Sequence, residues 1–127
     1  GASGWGTDAE YLRETERRHL LLCQVESKTA VEQVDGILGV EGVDGIFVGP
    51  LDLSASLGHI GQTQHPEVKE ALLRVETAAR RHPAKVLAGF AGGRPAGEMF
   101  AAGYRLVAGA VDLGLLRDAA RADVAGR

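Results

Sequence analysis

The sequence lacks the features that mark secreted, membrane-spanning and nucleic-acid-binding proteins. It has one cysteine, Cys23, which cannot form an intramolecular disulfide and is therefore typical of a reducing compartment. No apolar stretch approaches the length that crosses a membrane, and residues 1–4 do not begin a signal peptide. A net charge of -3 provides no basic field for nucleic acid or an anionic membrane surface. These absences predict a soluble, cytoplasmic protein.

The chain also lacks an initial methionine, which we interpret as a sign of processing or of a fragment. Its 127 residues are the size of one domain with a core of its own, and no linker or low-complexity tract divides them. The 18 glycines fall at turn positions rather than in repeats, as short connections between strands and helices require. We expect a single domain over residues 1–127.

Short apolar runs alternate along the chain with segments of helical period. The runs predict four strands, at residues 20–25, 43–48, 85–90 and 104–108. The other segments predict helices that begin at Thr7, at Ser27 or Thr29, at Pro66, at Pro95 and near Leu113. Alternation of this kind favours parallel strands joined by right-handed crossovers. The predicted fold class is therefore α/β, with four strand–helix units that form half of a TIM (β/α)₈ barrel.

Two acidic residues follow two of the predicted strands. Glu26 comes directly after the run at 20–25, and Asp52 ends the segment that begins with the run at 43–48. The carboxyl ends of parallel strands meet at one edge of the sheet, where such folds place metal ligands and catalytic groups. Two carboxylates at that edge suit a hard divalent cation such as Mg²⁺ or Mn²⁺. The alternative is that each is a surface acid at the start of a loop, which is the common position of Asp and Glu.

Polar and turn residues adjoin these two carboxylates. Gln24 precedes Glu26 by two residues, so both side chains project from one face of the strand. A polar side chain in an apolar strand needs a partner, which either a metal site or the backbone can provide. Gly49, Pro50 and Leu51 predict a tight turn whose N–H groups could hold an anion. Gly-Pro turns are equally common for structural reasons alone.

Other polar groups are weaker candidates. Ser54 and Ser56 either support Asp52 or cap the turn that follows it. The turn at residues 91–94 contains two glycines and could bind an anion, although a close-packed connection is the preferred interpretation. Asp112 is expected to be the N-cap of the last helix.

The histidines show no spacing that is typical of metal ligands. His59 and His65 have no obvious ligand partner, and His82 falls at the end of a predicted helix, where its position needs no further explanation. His19 precedes the first strand, at the end of the sheet opposite to the expected site. We therefore assign no function to a histidine from the sequence.

Three sequence motifs resemble the HpcH/HpaI aldolase family. They are Gln24-Val25-Glu26-Ser27, the segment VGPLDLSASLG at 48–58 and the segment VEGVDG at 40–45. The resemblance extends over about residues 9–120 and corresponds to strands five to eight, the C-terminal half, of that family's barrel. Members of the family are metal-dependent class II aldolases that form or cleave 4-hydroxy-2-oxo acids, with pyruvate and an aldehyde as the other partners. The resemblance implies that this chain comes from a carbon–carbon lyase of that kind.

The resemblance also implies roles for individual residues. Glu26 and Asp52 would hold the divalent cation, which would be Mg²⁺, Mn²⁺ or Co²⁺. Gln24 would act in catalysis by orienting the substrate, and the turn at 49–51 would bind the carboxylate of pyruvate through its backbone. The family's general-base histidine and substrate-binding arginine lie in the first four strands of its barrel, which this chain lacks. Family members are oligomers, commonly hexamers, which implies a homo-oligomer here.

Two other functions remain open at the level of sequence. The chain could be a non-catalytic remnant or subunit that binds metal or a partner, or a related lyase of the citrate-lyase β-chain type that acts on a thioester. Its short loops offer no evident platform for coenzyme A. A half-barrel would also leave the edges of its first and last strands and its inner apolar face uncovered. We therefore expect self-association or pairing with a missing N-terminal half.

Overall fold

Four parallel strands form one sheet in the order in which they occur along the chain. The computed structural model describes residues 4–11, 13–14 and 19–126. The strands are β1 (Leu22–Val25), β2 (Gly45–Val48), β3 (Val86–Phe90) and β4 (Leu106–Ala108). Each is hydrogen-bonded in parallel to the next, in the order β1-β2-β3-β4. The predicted α/β fold with a parallel sheet is confirmed.

Helices connect and follow these strands. They are α1 (Lys28–Glu32), α2 (Val34–Leu38), α3 (Pro50–Ser56), α4 (Pro66–Arg81), α5 (Ala96–Ala102) and α6 (Asp112–Ala125). Four of the predicted helices are present, with starts within a few residues of those expected. The clearest local signals belong to α1, which Ser27 caps, and to α4, which has a buried apolar stripe.

The longest helix, α4, buries the apolar stripe that its sequence predicts. Val68, Ala71, Leu72 and Val75 are buried against the sheet. The sheet meets them with the side chains of one face, which are Val25, Ile46, Val48 and Leu87. Burial of a Val or Leu side chain stabilises a fold by about 1.5–3 kcal/mol. The core therefore lies between the helices and this single face of the sheet.

The opposite face of the sheet carries Gln24 and two aromatic rings. Gln24 pairs in register with Phe47, and Phe47 with Ala88. The rings of Phe47 and Phe90 meet edge to face, with centroids 4.9 Å apart. Gln24 and Phe90 are both exposed. Because side chains alternate along a strand, this open face is the one that would line the interior of a closed barrel.

Near the N-terminus the predicted helix begins later than expected, because the first residue described as α-helical is Tyr11. Thr7 does not act as the N-cap; its hydroxyl donates to Gly4 O at 2.6 Å. The Asp8 carboxylate instead accepts from the Glu10 N–H at 3.1 Å. Residues 12 and 15–18 of the predicted helix lie outside the described part of the chain.

The helix predicted after β1 is two short helices. Ser27, rather than Thr29, is the N-cap, because its Oγ accepts from the Ala30 N–H at 3.2 Å. Gln33 interrupts the helix with φ -102° and ψ 8°, and the chain resumes as α2. The apolar residues Val31, Val34 and Leu38 are buried on both sides of this break. Their shared periodicity concealed it in the sequence.

The segment after β2 is a helix, α3, and not only the tight turn that the sequence suggested. Pro50 is its first residue, where the fixed φ suits a helix and the missing N–H has no helical role. The Leu53 N–H donates to Gly49 O at 3.0 Å, and Leu53 is fully buried. Burial of this leucine stabilises a helix that is too short to form alone.

Candidate active site

Gln24 and Glu26 lie together at the carboxyl end of β1. The Gln24 amide donates to Glu26 Oε2 at 2.5 Å. Gln24 is exposed on the open face of the sheet, and Glu26 is half-buried immediately after the strand. The two-residue spacing in an extended chain causes this arrangement, as the sequence predicted. The result is an amide and a carboxylate with a common orientation at the rim of the sheet.

Gly49, at the end of β2, lies directly beside Gln24 and Glu26. An added Cβ atom at Gly49 would lie 3.2 Å from both Gln24 Nε2 and Glu26 Oε2. The Gly49 N–H donates to Val25 O at 3.1 Å, which ties the end of β2 to the end of β1. Gly49 has φ -104°, which other residues also adopt. The close approach of the two side chains, and not the backbone conformation, is therefore what favours glycine here.

Asp52 is brought to the same edge by α3. It is the third residue of α3, which begins at Pro50 with Gly49 as its N-cap, and it is exposed. An acidic residue in the first turn is also favoured by the positive end of the helix dipole. The predicted position of Asp52 just beyond a strand is thus modified: Asp52 lies on a helix whose N-cap, Gly49, abuts Gln24 and Glu26.

The backbone at residues 49–51 offers fewer free N–H groups than the sequence suggested. The Gly49 N–H is already bonded to Val25 O, and Pro50 has none. The first N–H groups of a helix have no carbonyl partner within it, which leaves those of Leu51 and Asp52 for another acceptor. Any anion held by this turn would therefore be bound at Leu51 and Asp52.

Two serines of α3 hold the helix in place through hydrogen bonds. Ser54 is fully buried; its hydroxyl donates to Leu51 O at 2.6 Å and accepts from the Gly61 N–H at 3.1 Å. Ser56 Oγ accepts from the Lys28 N–H at 3.1 Å, which joins α3 to the start of α1. The sequence did not decide between support of Asp52 and capping of the following turn for either serine. The structure assigns them to positioning the helix that carries Asp52.

The turn after β3 packs on the start of α3. Gly92 has φ +57°, and an added Cβ would lie 2.6 Å from Pro50 Cγ. Gly92 O accepts from Thr63 Oγ1 at 2.9 Å and from Gln64 Nε2 at 3.1 Å. This is the close-packed connection that was preferred for the turn at 91–94. It holds Pro50, and with it the beginning of α3, in place.

Arg94, at the end of that turn, points into a buried cluster. Its guanidinium donates to Glu76 Oε1 at 2.5 Å, and Glu76 is 5% exposed. The Arg94 guanidinium carbon also lies 5.8 Å from the centroid of the Tyr104 ring. Burial, followed by the nearby Glu76 carboxylate, strongly raises the pKa of Tyr104. The cluster fixes α4, the turn after β3 and the approach to β4 to one another.

Asp112 and His82 have roles at helix ends. Asp112 is the first residue of α6, while the N-cap position is Val111, so the predicted N-cap was wrong by one residue. Its Oδ1 accepts from the Leu113 N–H at 2.8 Å. His82 is the C-cap of α4, as predicted, and its Nε2 lies 3.0 Å from Asp35 Oδ1. Hydrogen bonds from Arg81 and then His82 lower the pKa of Asp35.

His59 and His65 do have partners, contrary to the sequence-based interpretation. Their rings are stacked with centroids 3.5 Å apart, and His59 Nε2 lies 3.1 Å from Glu67 Oε2. The only local signal was the spacing of His65 and Glu67 around Pro66, at the start of a predicted helix. The six-residue separation of the histidines does not match the helical period.

A parallel sheet with carboxylate and amide groups at the carboxyl ends of its strands is typical of the (β/α)-barrel class of enzyme folds and sites. Within the described residues, no helix is long and apolar enough to cross a membrane. The chain belongs to the HpcH/HpaI aldolase/citrate lyase family, whose sequence model matches residues 7–119. The resemblance drawn from the three motifs is thus confirmed.

Several proteins and solved structures are similar to this chain. A 5-keto-4-deoxy-D-glucarate aldolase from Shigella dysenteriae serotype 1 is 41% identical over 120 residues, which are 93% of this chain and 46% of that protein. An HpcH/HpaI aldolase/citrate lyase family protein from Burkholderia cenocepacia has a TM-score of 0.83 and 36% identity, covering 98% of this chain and 49% of the other. An HpcH/HpaI aldolase from Desulfitobacterium hafniense has a TM-score of 0.82 and 33% identity, covering 99% and 51%.

These coverages define what part of a family member is present. The chain spans about half the length of the relatives it matches, while nearly all of its own length is matched. Four strand–helix units are half of the eight that close a TIM barrel.

Proposed function

We propose that this chain is the metal-binding, C-terminal half of a class II aldolase that forms or cleaves 4-hydroxy-2-oxo acids, with pyruvate as donor or product. The observation that carries the proposal is the arrangement of Gln24, Glu26 and Gly49 at the strand ends. Membership of an aldolase family supports the reaction class. On this proposal residues 1–127 form one half-barrel domain of a longer enzyme.

The residues at the site fit a hard divalent cation. Glu26 and Asp52 offer carboxylate oxygens, which Mg²⁺ and Mn²⁺ prefer, and Co²⁺ also accepts. The absence of a side chain at Gly49 leaves room beside Glu26 that a Cβ would fill. When bound, the cation would act as a Lewis acid towards the 2-oxo acid. Glu26 and Asp52 are the residues that would hold it.

Other groups of the chain would orient the substrate. Gln24 donates an amide hydrogen to Glu26, which fixes the carboxylate and leaves the rest of the amide facing the open side of the sheet. The N–H groups of Leu51 and Asp52, at the positive end of α3, would donate hydrogen bonds to a carboxylate of the substrate. Gly49 and Pro50 would contribute by shaping this turn rather than by donating hydrogen bonds.

The substrate is proposed more narrowly from the relatives. Several are named 5-keto-4-deoxy-D-glucarate aldolase, which favours a keto-deoxy sugar acid over other 4-hydroxy-2-oxo acids. Contacts with the aldehyde half would come from parts of the enzyme beyond this chain. A cytoplasmic location stays a prediction from the sequence.

A second candidate function is a non-catalytic metal- or partner-binding unit. Its supporting observation is length: the chain is about half of its relatives. An isolated half without the family's general base should show little or no retro-aldol turnover, since loss of a positioned base costs about 10²–10⁴-fold in rate. Robust metal-dependent release of pyruvate by this polypeptide alone would contradict the half-enzyme proposal.

The unpaired edges of the sheet suggest what this chain associates with. β1 and β4 each have an unpaired side, and the face that carries Phe90 is uncovered among the described residues. We therefore propose that four further strand–helix units cover them, either from the N-terminal half of the same enzyme or from a second copy of this chain. Homo-oligomers, as in the family, would then be built from completed barrels.

Calorimetry with Mn²⁺ in the presence of oxalate tests the metal site. The wild type is expected to bind, while Glu26→Ala and Asp52→Ala should each lose most of the affinity, because two ligands define the site. Asp44→Ala is a matched control, since that carboxylate bonds the Leu21 N–H near the start of the strands. Equal binding by the wild type and both site variants would remove Glu26 and Asp52 from the proposal.

A further inference from the structure

Three potential metal ligands meet at the start of α4. One ligand atom from each of His59, His65 and Glu67 lies within 4.8 Å of the other two. The closest pair is His59 Nε2 and Glu67 Oε2, at 3.1 Å. Both histidines are half-buried and Glu67 is exposed. None of these residues belongs to the site formed by Gln24, Glu26 and Asp52.

The backbone holds this group of three residues in position. The His59 N–H donates to Ser54 O at 2.7 Å, and Ser54 Oγ accepts from the Gly61 N–H. The loop then turns back on itself, with the Gln62 N–H bonded to His59 O and the His65 N–H to Gln62 O, both at 2.9 Å. Anchored ligands lose little conformational entropy when an ion binds.

Glu67 is positioned by the helix itself. Pro66 occupies the first position of α4 and Glu67 the second, so the backbone conformation at both is set by the helix start. His65 is the N-cap, and its Nδ1 accepts from the Glu67 N–H at 3.3 Å. His65 and Glu67 are therefore fixed relative to each other by a contact that is independent of His59.

We propose that His59, His65 and Glu67 form a second metal site, which takes a transition metal such as Zn²⁺ or Ni²⁺ rather than Mg²⁺. Two imidazole nitrogens and one carboxylate oxygen are the donor set that these borderline ions prefer. In a tetrahedral zinc site with bonds of about 2.0–2.2 Å, ligand atoms lie about 3.4 Å apart by simple geometry. The His59–Glu67 separation is already close to that distance.

His65 must move to complete the site. Its ring is stacked on His59 with an angle of 21° between the planes. Lone pairs in two parallel rings do not point at one ion, so a rotation of the His65 ring is required. The neutral ring also carries a single proton, and its Nδ1 accepts the bond from the Glu67 N–H. A metal ion at Nδ1 would displace this bond, and a metal ion at Nε2 would leave the proton on Nδ1, which could then no longer accept it. Metal binding should therefore alter the first turn of α4.

Titration with Zn²⁺ and Ni²⁺ tests the site in the background of Glu26→Gln and Asp52→Gln. This background removes the proposed magnesium ligands, so the two proposals can fail separately. Calorimetry should detect one ion per chain, and the Glu67 amide resonance should shift in the ¹⁵N spectrum. Loss of an outer-shell partner already costs about 10–100-fold in metal affinity, so loss of a ligand should cost at least as much.

The variants separate metal binding from folding. His59→Gln and His65→Asn should each weaken binding at least tenfold; Asn is a good N-cap and keeps α4 capped without an imidazole. His82→Gln, which alters a histidine at the other end of α4, should bind like the background. Thermal unfolding establishes that each variant is folded. Absence of saturable binding, or equal affinity in the background, His59→Gln and His65→Asn, would overturn the proposal.

Discussion

Gly49 lies against Glu26 so closely that a Cβ atom on the glycine would be 3.2 Å from the carboxylate oxygen Oε2. The two residues end neighbouring strands, and the Gly49 N–H is bonded to the carbonyl of Val25, just before Glu26. The space beside the carboxylate thus depends on the lack of one methyl group. This relationship links the glycine of the second motif to the acid of the first.

Gly49→Ala is expected to weaken Mn²⁺ binding about tenfold or more, as for other changes beside metal ligands. It should cost only about 1 kcal/mol in the free energy of unfolding, because Gln24 and Glu26 are side chains that can shift. Calorimetry and urea denaturation would measure the two effects. Gly97→Ala is the control: nothing lies within 4 Å of its added Cβ, and it should raise stability slightly. Unchanged Mn²⁺ affinity in Gly49→Ala would contradict the argument.

Gly92→Ala should destabilise the fold more than Gly42→Ala. Both glycines have positive φ, +57° and +85°, so each substitution incurs a backbone cost of about 1–2 kcal/mol. Only at Gly92 would the new Cβ meet another atom, Pro50 Cγ at 2.6 Å. Overpacking of this kind adds about 1–3 kcal/mol. Urea denaturation of both variants gives the difference, and equal losses would show that the turn after β3 does not press on α3.

Tyr104 should make the fold less stable at high pH. Its folded-state pKa is raised by burial and by Glu76, whereas an unfolded tyrosine ionises near about pH 10. Above that pH the unfolded state releases a proton that the folded state retains. The free energy of unfolding should therefore fall with pH, by up to about 1.4 kcal/mol per unit. When denaturation is measured between about pH 8 and pH 11, the free energy of unfolding should fall less steeply with pH in Tyr104→Phe than in Tyr11→Phe.

The open face of the sheet should drive self-association of the chain. Phe90 is exposed there, on the face that carries Gln24. Phe90→Lys should shift the chain towards monomer, because a charge on this face opposes burial. Leu73→Lys, which alters an exposed apolar residue on the helical side, should have little effect. Sedimentation at several concentrations measures both, and a compact wild-type monomer at low micromolar concentration would be incompatible with the half-barrel interpretation.

Much of the candidate site could be predicted from local pattern. Gln24 and Glu26 share a face because side chains alternate along any strand, and this needs no tertiary information. The tight turn inferred at Gly49 and Pro50 concealed a helix, because α3 is short and depends on the burial of Leu53. The break at Gln33 was missed because apolar spacing continues across it.

The sequence by itself determined the order of the strands, most of the helices, the parallel sheet and the family, because hydrophobic period and short motifs are local properties of the chain. Only the tertiary structure decided which groups meet across connections. His59 reaches Glu67 because the Ser54 carbonyl and hydroxyl fix the loop between α3 and α4. Gly49 confines Glu26 because the hydrogen bond to Val25 draws two strand ends together. Such contacts depend on the path of the folded backbone, which no local periodicity encodes.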